Sequence, residues 1–218
     1  REPTVATRAL PLQPVTVRSF AGIIEGFYGT PWTWDERIDG CRFLTRFGAD
    51  SYVYAPKSDP RHRDQWREPY ERAELDGFAR LVVESGVRIG FAVSPGLSMD
   101  LASATDRQSL VDKFATLRDV GVDWFCLAFD DVPAGPRAAI KQGELCRYLV
   151  DAIAPAELLF VPTDYTSIRP NTYLDGLGLD TGWLVIFDQR SARPSISERT
   201  SVERATSPRG RAVTVINA

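Results

Sequence analysis

The chain has 218 residues, of which 44% are hydrophobic and 25% are charged. This apolar fraction is too high for a disordered chain, and every apolar run is shorter than the roughly 20 residues that a membrane helix needs. The net charge of −3 argues against a nucleic-acid-binding surface. We therefore expect a folded protein with no membrane span and no nucleic acid among its partners.

The first segment differs from the rest of the chain. Residues 1–19 lack the apolar run of a signal peptide, and the segment RALPLQP at 8–14 is typical of a linker. We expect residues 1–19 to be a linker or the remnant of an upstream region, and residues 20–218 to form one domain. The sequence predicts no oligomeric state.

Seven short apolar runs follow at intervals of 27 to 37 residues. They lie at 22–28, 51–56, 88–94, 124–130, 157–162, 184–187 and 212–216. The runs are continuous rather than alternating in polarity, which is typical of strands buried on both faces of a parallel sheet.

Helical patterns occupy four of the gaps between these runs. They cover residues 33–44, 71–84, 106–120 and 141–153. Thr33 and Glu36 have the spacing of a capping box, which marks the start of the first helix. Gly48, Gly86 and Gly121 stand where helices should end, because glycine adopts the left-handed conformation of a helix C-terminus without strain.

The alternation of strand and helix predicts either a doubly wound sheet or a (β/α) barrel. The segment after the first strand is bulky and lacks the glycine-rich pattern of a nucleotide site, so we favour a (β/α)8 TIM-type barrel. Such a barrel needs eight strands, and the sequence offers seven. We therefore expect the domain to be incomplete at its C-terminus, without the last βα unit.

The carboxyl ends of barrel strands carry the chemistry, and Asp130 with Asp131 is the strongest candidate there. Two carboxylates in one cleft do not both ionise easily, so one becomes a general acid while its ionised neighbour stabilises positive charge. The alternative is that an aspartate only caps the next helix. Three cysteines without metal-ligand spacing and a single histidine, His62, give no basis for a metal site.

Other strand ends offer weaker candidates. Lys57 either binds substrate oxygens or is a solvated surface lysine, and Tyr165 is either a core phenol or a hydrogen-bond donor to substrate. The segments 61–63 and 66–68 are typical of a solvated loop on residue type alone. Four aromatic residues near the first strand either stack on sugar rings or pack in the core: Phe27, Tyr28, Trp32 and Trp34.

Five motifs in order resemble glycoside hydrolase family 84, the β-N-acetylglucosaminidases that include protein O-GlcNAcases and bacterial hyaluronidase-like enzymes. They are GIIEGFYGTPW at 22–32, YVYAPKSDP at 52–60 with WREPY at 66–70, FAVSPGL at 91–97, FDD at 129–131 and VPTDY at 161–165. The resemblance implies a (β/α)8 barrel that hydrolyses β-linked N-acetylglucosamine with retention, in which the substrate's own acetamido oxygen attacks to form an oxazoline.

The resemblance also implies roles for single residues. Asp130 would hold the acetamido N–H, and Asp131 would act as general acid and then as general base. The remaining matches concern substrate binding, in which Lys57 binds sugar hydroxyls, Gly26 lines the sugar site through its backbone, Tyr165 supports the acetamido group, and Asn217 aligns with a pocket asparagine. No cofactor and no metal are implied, and the partner would be a glycan or glycoprotein that carries N-acetylglucosamine.

Departures from the family pattern lie late in the chain. The family's Trp-Thr-Gly segment after the sixth strand is replaced by Asp188-Gln-Arg, and a later aspartate that grips the sugar's outer hydroxyls is absent. The alternative is therefore a catalytically impaired remnant or sugar-binding domain of the same family. Bacterial relatives are often exported, so the linker-like start fits a secreted bacterial enzyme without establishing the location.

Overall fold

Strands and helices alternate along the chain in its computed structural model. The structure describes residues 21–122, 124–130, 132–133, 137–155, 157–164, 173 and 176–178, and the backbone alone of 184–186, 205–206 and 212–217. The strands are β1 (Gly22–Ile24), β2 (Ser51–Tyr54), β3 (Arg88–Val93), β4 (Trp124–Ala128), β5 (Glu157–Val161), β6 (Leu184–Ile186), β7 (Ala205–Thr206) and β8 (Ala212–Asn217). The helices are α1 (Trp34–Thr45), α2 (Arg72–Glu84), α3 (Ala104–Asp119) and α4 (Ala138–Ile153), with a 3-10 turn at Pro60–His62.

The strands form one sheet in the order β1-β2-β3-β4-β5-β8-β6, and each neighbouring pair on this path is parallel. All seven predicted runs are strands. The sequence did not predict β7, which pairs antiparallel with β8. A barrel of consecutive strands would place the sixth run beside the fifth, but β8 lies there instead. Among the described strands, β1 and β6 lie at the two ends of this order and do not pair with each other, so closure into a barrel stays a prediction. The predicted domain boundary at residue 19 lies outside the described ranges.

Local sequence signals determine where the helices begin and end. The Thr33 side chain accepts from the Glu36 amide while the Glu36 carboxylate accepts from the Thr33 amide, so the predicted capping box is present. Gly48, Gly86 and Gly121 have φ of 80°, 76° and 100°, as expected for residues that end helices. Within the described ranges, no helix is both long and apolar enough to cross a membrane.

The two faces of the sheet are packed differently. The larger core joins the helices to one face, with residues such as Phe78 of α2, Phe114 of α3 and Phe91 of β3. The smaller cluster lies on the opposite face and contains no helix residue, so we call it the helix-free face: Val53, Ala55, Ala92, Trp124, Cys126, Leu159 and Val161. Alternate residues of β2, β3, β4 and β5 thus face the two sides of the sheet.

Three free cysteines lie in separate elements of this framework. Cys41 is in α1, Cys126 is in β4 and Cys146 is in α4, and all three are buried. None of them is paired with another.

Candidate active site

Two charged side chains that the sequence places at strand ends both act electrostatically on one buried thiol. Lys57 follows β2, Asp130 follows β4, and both residues are half-buried. The pKa of the Cys126 thiol is raised to about 12, chiefly by burial and next by the charge of Asp130, while the charge of Lys57 opposes the rise. Cys126 belongs to the helix-free face. The two predicted site residues therefore lie close to the same region of that face.

Parallel pairing explains why these strand ends meet. β1, β2, β3 and β4 are consecutive parallel neighbours, so their carboxyl ends lie along one edge of the sheet. Gly26 lies just past β1 at this edge and is half-buried. A Cβ atom on Gly26 would have Ile24 as its nearest neighbour, at 3.7 Å. The space on the Cβ side of Gly26 is therefore bounded at van der Waals distance by Ile24 and is otherwise open.

A tight turn holds Lys57. The Asp59 amide donates to the Pro56 carbonyl oxygen at 3.0 Å, which leaves Lys57 and Ser58 at the centre of the turn. The Asp59 carboxylate is buried, and it accepts from the hydroxyls of Tyr54 at 2.9 Å and Tyr70 at 2.6 Å. This network fixes the backbone on which Lys57 stands.

The loop after Lys57 is solvated only in part, so the prediction is wrong for His62 and Trp66, whereas Arg67 and Glu68 are exposed. Trp66 is fully buried and His62 is 2% exposed. His62 Nδ1 lies 2.7 Å from the carbonyl oxygen of Ala92, and the Ser94 amide donates to the His62 carbonyl oxygen at 2.8 Å. These bonds attach the loop to the end of β3. His62 therefore has partners inside the protein, which residue type alone does not reveal.

Glu25 follows β1 but is an internal anchor rather than a group at the open edge. It is fully buried and accepts two hydrogen bonds from Arg37 of α1, at 2.7 and 2.9 Å, and another from the Tyr52 hydroxyl. The Trp32 amide also reaches Glu25, at 3.4 Å. Although burial favours a lower pKa for Arg37, the bond to Glu25 raises it. Glu25 thus holds both ends of the β1–α1 loop.

The four aromatic residues near the first strand have different surroundings. Trp34 packs in the core, stacked on Tyr54 with ring centroids 5.9 Å apart. Phe27 and Trp32 contact each other edge to face at 5.2 Å. Tyr28 is 80% exposed and is the one ring of the four that stands largely in solvent. Of the four candidates for sugar stacking, Trp34 is therefore a packing residue.

The end of β5 is anchored by residues that the sequence analysis missed. Gln142 of α4 donates to the Thr163 hydroxyl at 2.9 Å, and the Thr163 amide donates to the Tyr173 hydroxyl at 2.9 Å. Tyr173 in turn donates to the Gln142 side-chain oxygen. The signal that could have found this triad is Gln142 itself, a polar residue on the buried side of a helix.

The comparisons with known proteins identify the family of the chain. Residues 21–216 match a family model described as beta-N-acetylglucosaminidase. The chain belongs to glycoside hydrolase family 84. It is 31% identical over 183 residues to the protein O-GlcNAcase of Rattus norvegicus and 32% identical over 172 residues to that of Mus musculus.

Solved structures of family 84 resemble the fold. A point mutant of the Thermobaculum terrenum O-GlcNAc hydrolase has a TM-score of 0.68 and 32% identity over 73% of this chain. The structure of CpGH84B has a TM-score of 0.65 and 33% identity over 72% of this chain. The match spans 38% and 31% of those two chains, and 20% and 18% of the rat and mouse proteins.

The structure of this family 84 chain places some of the predicted site residues and not others. Lys57, Gly26 and Asp130 lie at one edge of the sheet, whereas Asp131 and Tyr165 lie outside the described residues. Asn217 ends β8, where its backbone is paired in register with Ile186, and its side chain is outside the description. Over the described ranges, no three His, Cys, Asp or Glu side chains are grouped to hold a metal ion.

Proposed function

We propose that this chain is a β-N-acetylglucosaminidase that removes terminal β-linked N-acetylglucosamine with retention of configuration. The observation that carries the proposal is the position of Lys57 and Asp130 just past the carboxyl ends of the parallel strands β2 and β4, at one edge of the sheet. Family membership supports the same reaction class. The relatives named protein O-GlcNAcase support a glycoprotein, or another glycan bearing this sugar, as the substrate.

The proposal includes a (β/α)8 barrel whose interior is the helix-free face. In such a barrel the helices cover the outside of the sheet, so the inner face meets only other strands. The distribution of the two clusters supports this assignment, because one contains residues of all four helices and the other contains none. Chemistry at the carboxyl ends of the strands then takes place at one mouth of the barrel.

The reaction needs no protein nucleophile. The acetamido carbonyl oxygen attacks the anomeric carbon as the glycosidic C–O bond breaks, and Asp131 gives a proton to the departing oxygen. Asp130 accepts the acetamido N–H and balances the positive charge that develops as the oxazoline forms. Water then attacks the anomeric carbon and loses a proton to Asp131. Two successive inversions give net retention, and no cofactor takes part.

The remaining residues of the proposal bind the sugar. Lys57 donates to sugar hydroxyls through its ammonium group, and Gly26 lines the sugar site through its backbone. Tyr165 supports the acetamido group, and Asn217 binds the sugar from the carboxyl end of β8. The exposed ring of Tyr28 lies on the β1–α1 loop, next to Gly26 in the chain.

Hydrolysis of an aryl β-N-acetylglucosaminide tests the proposal. The blank is the double variant Asp130→Ala, Asp131→Ala, and a cooperative urea transition shows that each sample is folded. We expect turnover above the blank. A folded wild-type chain without turnover would overturn the proposed enzymatic activity and favour the alternative, a sugar-binding domain or a catalytically impaired remnant.

The proposed nucleophile has a separate test. Replacing the substrate's N-acetyl group by N-fluoroacetyl, difluoroacetyl and trifluoroacetyl groups makes the attacking carbonyl oxygen progressively less nucleophilic. We expect the rate to fall steeply along the series and the first product in the NMR spectrum to be the β-anomer. A rate that is independent of fluorination would contradict substrate assistance and indicate a protein nucleophile.

A further inference from the structure

Lys113 of α3 places an ammonium group in the protein interior. The residue is 6% exposed. Its Nζ donates to the main-chain carbonyl oxygens of Glu68 at 2.7 Å and Arg61 at 3.3 Å, and lies 4.6 Å from the centroid of the Tyr70 ring. All three contacts are with the connection between β2 and α2. One side chain of α3 thus holds two separated points of that loop.

Packing alone does not explain a lysine at this position. Burial lowers the pKa of Lys113 to about 8, which means that the charged form is disfavoured there. A methionine of similar length would fill the same space without desolvating a charge. What methionine lacks is the set of N–H donors that the carbonyl oxygens of Arg61 and Glu68 require. The function of the lysine is therefore to be sought in the loop.

A continuous series of contacts leads from Lys113 to Lys57. Tyr70, whose ring lies under the Lys113 ammonium group, donates to Asp59 at 2.6 Å. Asp59 also receives the Arg61 amide at 2.8 Å. Its own amide closes the turn on Pro56, and Lys57 stands at the centre of that turn. Tyr70 and Arg61, the two loop residues that donate to the Asp59 carboxylate, are therefore both in contact with Lys113.

We propose that Lys113 is a positioning residue, which holds the β2–α2 loop so that the Lys57 ammonium group is directed at the sugar. The role rests on the proposed function, because Lys57 is the group that touches substrate. Lys113 contributes through the Arg61 and Glu68 carbonyl oxygens and through Tyr70, and makes no contact with the sugar. Its loss therefore weakens substrate binding more than it slows the chemical step.

A double-mutant cycle of Lys57→Met and Lys113→Met tests the coupling. Each single variant should raise KM for an aryl β-N-acetylglucosaminide by about tenfold, the effect of one lost bond to a charged group, with a much smaller change in kcat. In the Lys57→Met background, Lys113→Met should add almost nothing. Additive effects would overturn the proposal, since a purely structural lysine acts whether Lys57 is present or not.

Leu117→Val is the matched control. Leu117 is fully buried on α3, one helical turn after Lys113. Its side chain has no N–H group that could bind the loop carbonyl oxygens, so its substitution lowers stability without removing a bond to the loop. We expect this variant to leave KM within about twofold of wild type at a temperature where both are folded. An equal rise in KM in Leu117→Val and Lys113→Met would overturn the positioning role.

A second measurement separates this proposal from the proposed function. The sequence has only three lysines, Lys57, Lys113 and Lys141, so selective ¹³C labelling gives three side-chain signals, assigned by single substitution. In Lys113→Met the Lys57 signal should move toward the position and line width of a free lysine, and in Leu117→Val it should not. An unchanged Lys57 signal overturns the positioning role. Absence of turnover in a folded wild-type chain overturns only the proposed function.

Discussion

Arg37 and Glu25 form a buried ion pair with two hydrogen bonds, at 2.7 and 2.9 Å. The guanidinium group also lies over two aromatic rings, 4.8 Å from the centroid of Trp34 and 4.9 Å from that of Tyr54. The pair connects α1 to the residue that follows β1, directly before Gly26. It therefore determines where the first strand end stands relative to the rest of the candidate site.

Removing one charge of this pair should lower the free energy of unfolding more than removing both charges does. Arg37→Met leaves a buried carboxylate without its cation, and we expect the free energy of unfolding to fall by about 3–5 kcal/mol. The double variant Arg37→Met, Glu25→Gln should recover part of that loss, because no buried charge is left uncompensated. Urea unfolding curves of the two variants give the comparison, and equal losses would contradict it.

Two helical glycines should respond in opposite ways to the same substitution. A Cβ on Gly143 of α4 would lie 1.8 Å from the Leu177 carbonyl oxygen, whereas on Gly40 of α1 its nearest neighbour is the Trp32 ring at 3.7 Å. Gly40→Ala should stabilise the chain by roughly 0.5–1 kcal/mol through helix propensity. Gly143→Ala should lower the melting temperature instead, because main chain must move. A gain in stability for both would show that α4 and Leu177 are not in contact.

His62 should make the protein less stable in mild acid. Burial lowers its pKa to about 4 from an ordinary value of 6.5, although the bond to the Ala92 carbonyl oxygen works in the other direction. Between these two pH values the unfolded chain binds a proton that the folded chain does not, so stability is lost as the pH falls from 6.5 toward 4. The loss amounts to roughly 3 kcal/mol.

His62→Asn is the matching variant. The asparagine amide can replace the Nδ1–H donor to Ala92 but does not titrate, and the sequence contains no other histidine. The variant should therefore lose much less stability over that interval than the wild-type chain, as measured by urea unfolding at several pH values. Parallel pH profiles for the two proteins would exclude His62 as the source.

Asp131→Asn should distinguish its proposed acid role from a binding role. A good leaving group such as dinitrophenolate needs no proton, so its departure should be nearly unaffected in the variant. Departure of an alkyl alcohol needs one, and should slow by about 10²–10⁴-fold. Steady-state rates with a series of aryl and alkyl β-N-acetylglucosaminides measure the contrast, and an equal loss for every leaving group would rule out the acid role.

The strands and helices were predictable because their signals are local. The Thr33–Glu36 cap lies within one turn of chain, and Gly86 and Gly121 mark helix ends by their own conformational freedom. The position of β8 between β5 and β6 was not predictable, since pairing order depends on contacts between distant segments. The burial of Trp66 and His62 was missed for the same reason, because the partner of His62 is Ala92, thirty residues away.

The candidate site was predictable only in part. The rule that strand ends carry chemistry selected Lys57 and Asp130, which the structure brings to one edge of the sheet. Glu25 also follows a strand but is buried with Arg37 on the helix side, and the sequence pattern does not tell which face a residue takes after its strand ends. The turn at Asp59 and the Lys113 contacts required the three-dimensional arrangement of β2, α3 and the loop between β2 and α2.

The burial of all three cysteines gives the chain its own labels for conformational opening. Burial raises the pKa of Cys41 to about 11 and of Cys126 to about 12, and it raises that of Cys146 as well, so almost no thiolate is present at neutral pH. An alkylating reagent can therefore react with a thiol only after the element that carries it has opened. Mass spectrometry of the modified peptides would give separate opening rates for α1, β4 and α4. The rate at Cys126 would report on the helix-free face near the strand ends that carry Lys57 and Asp130.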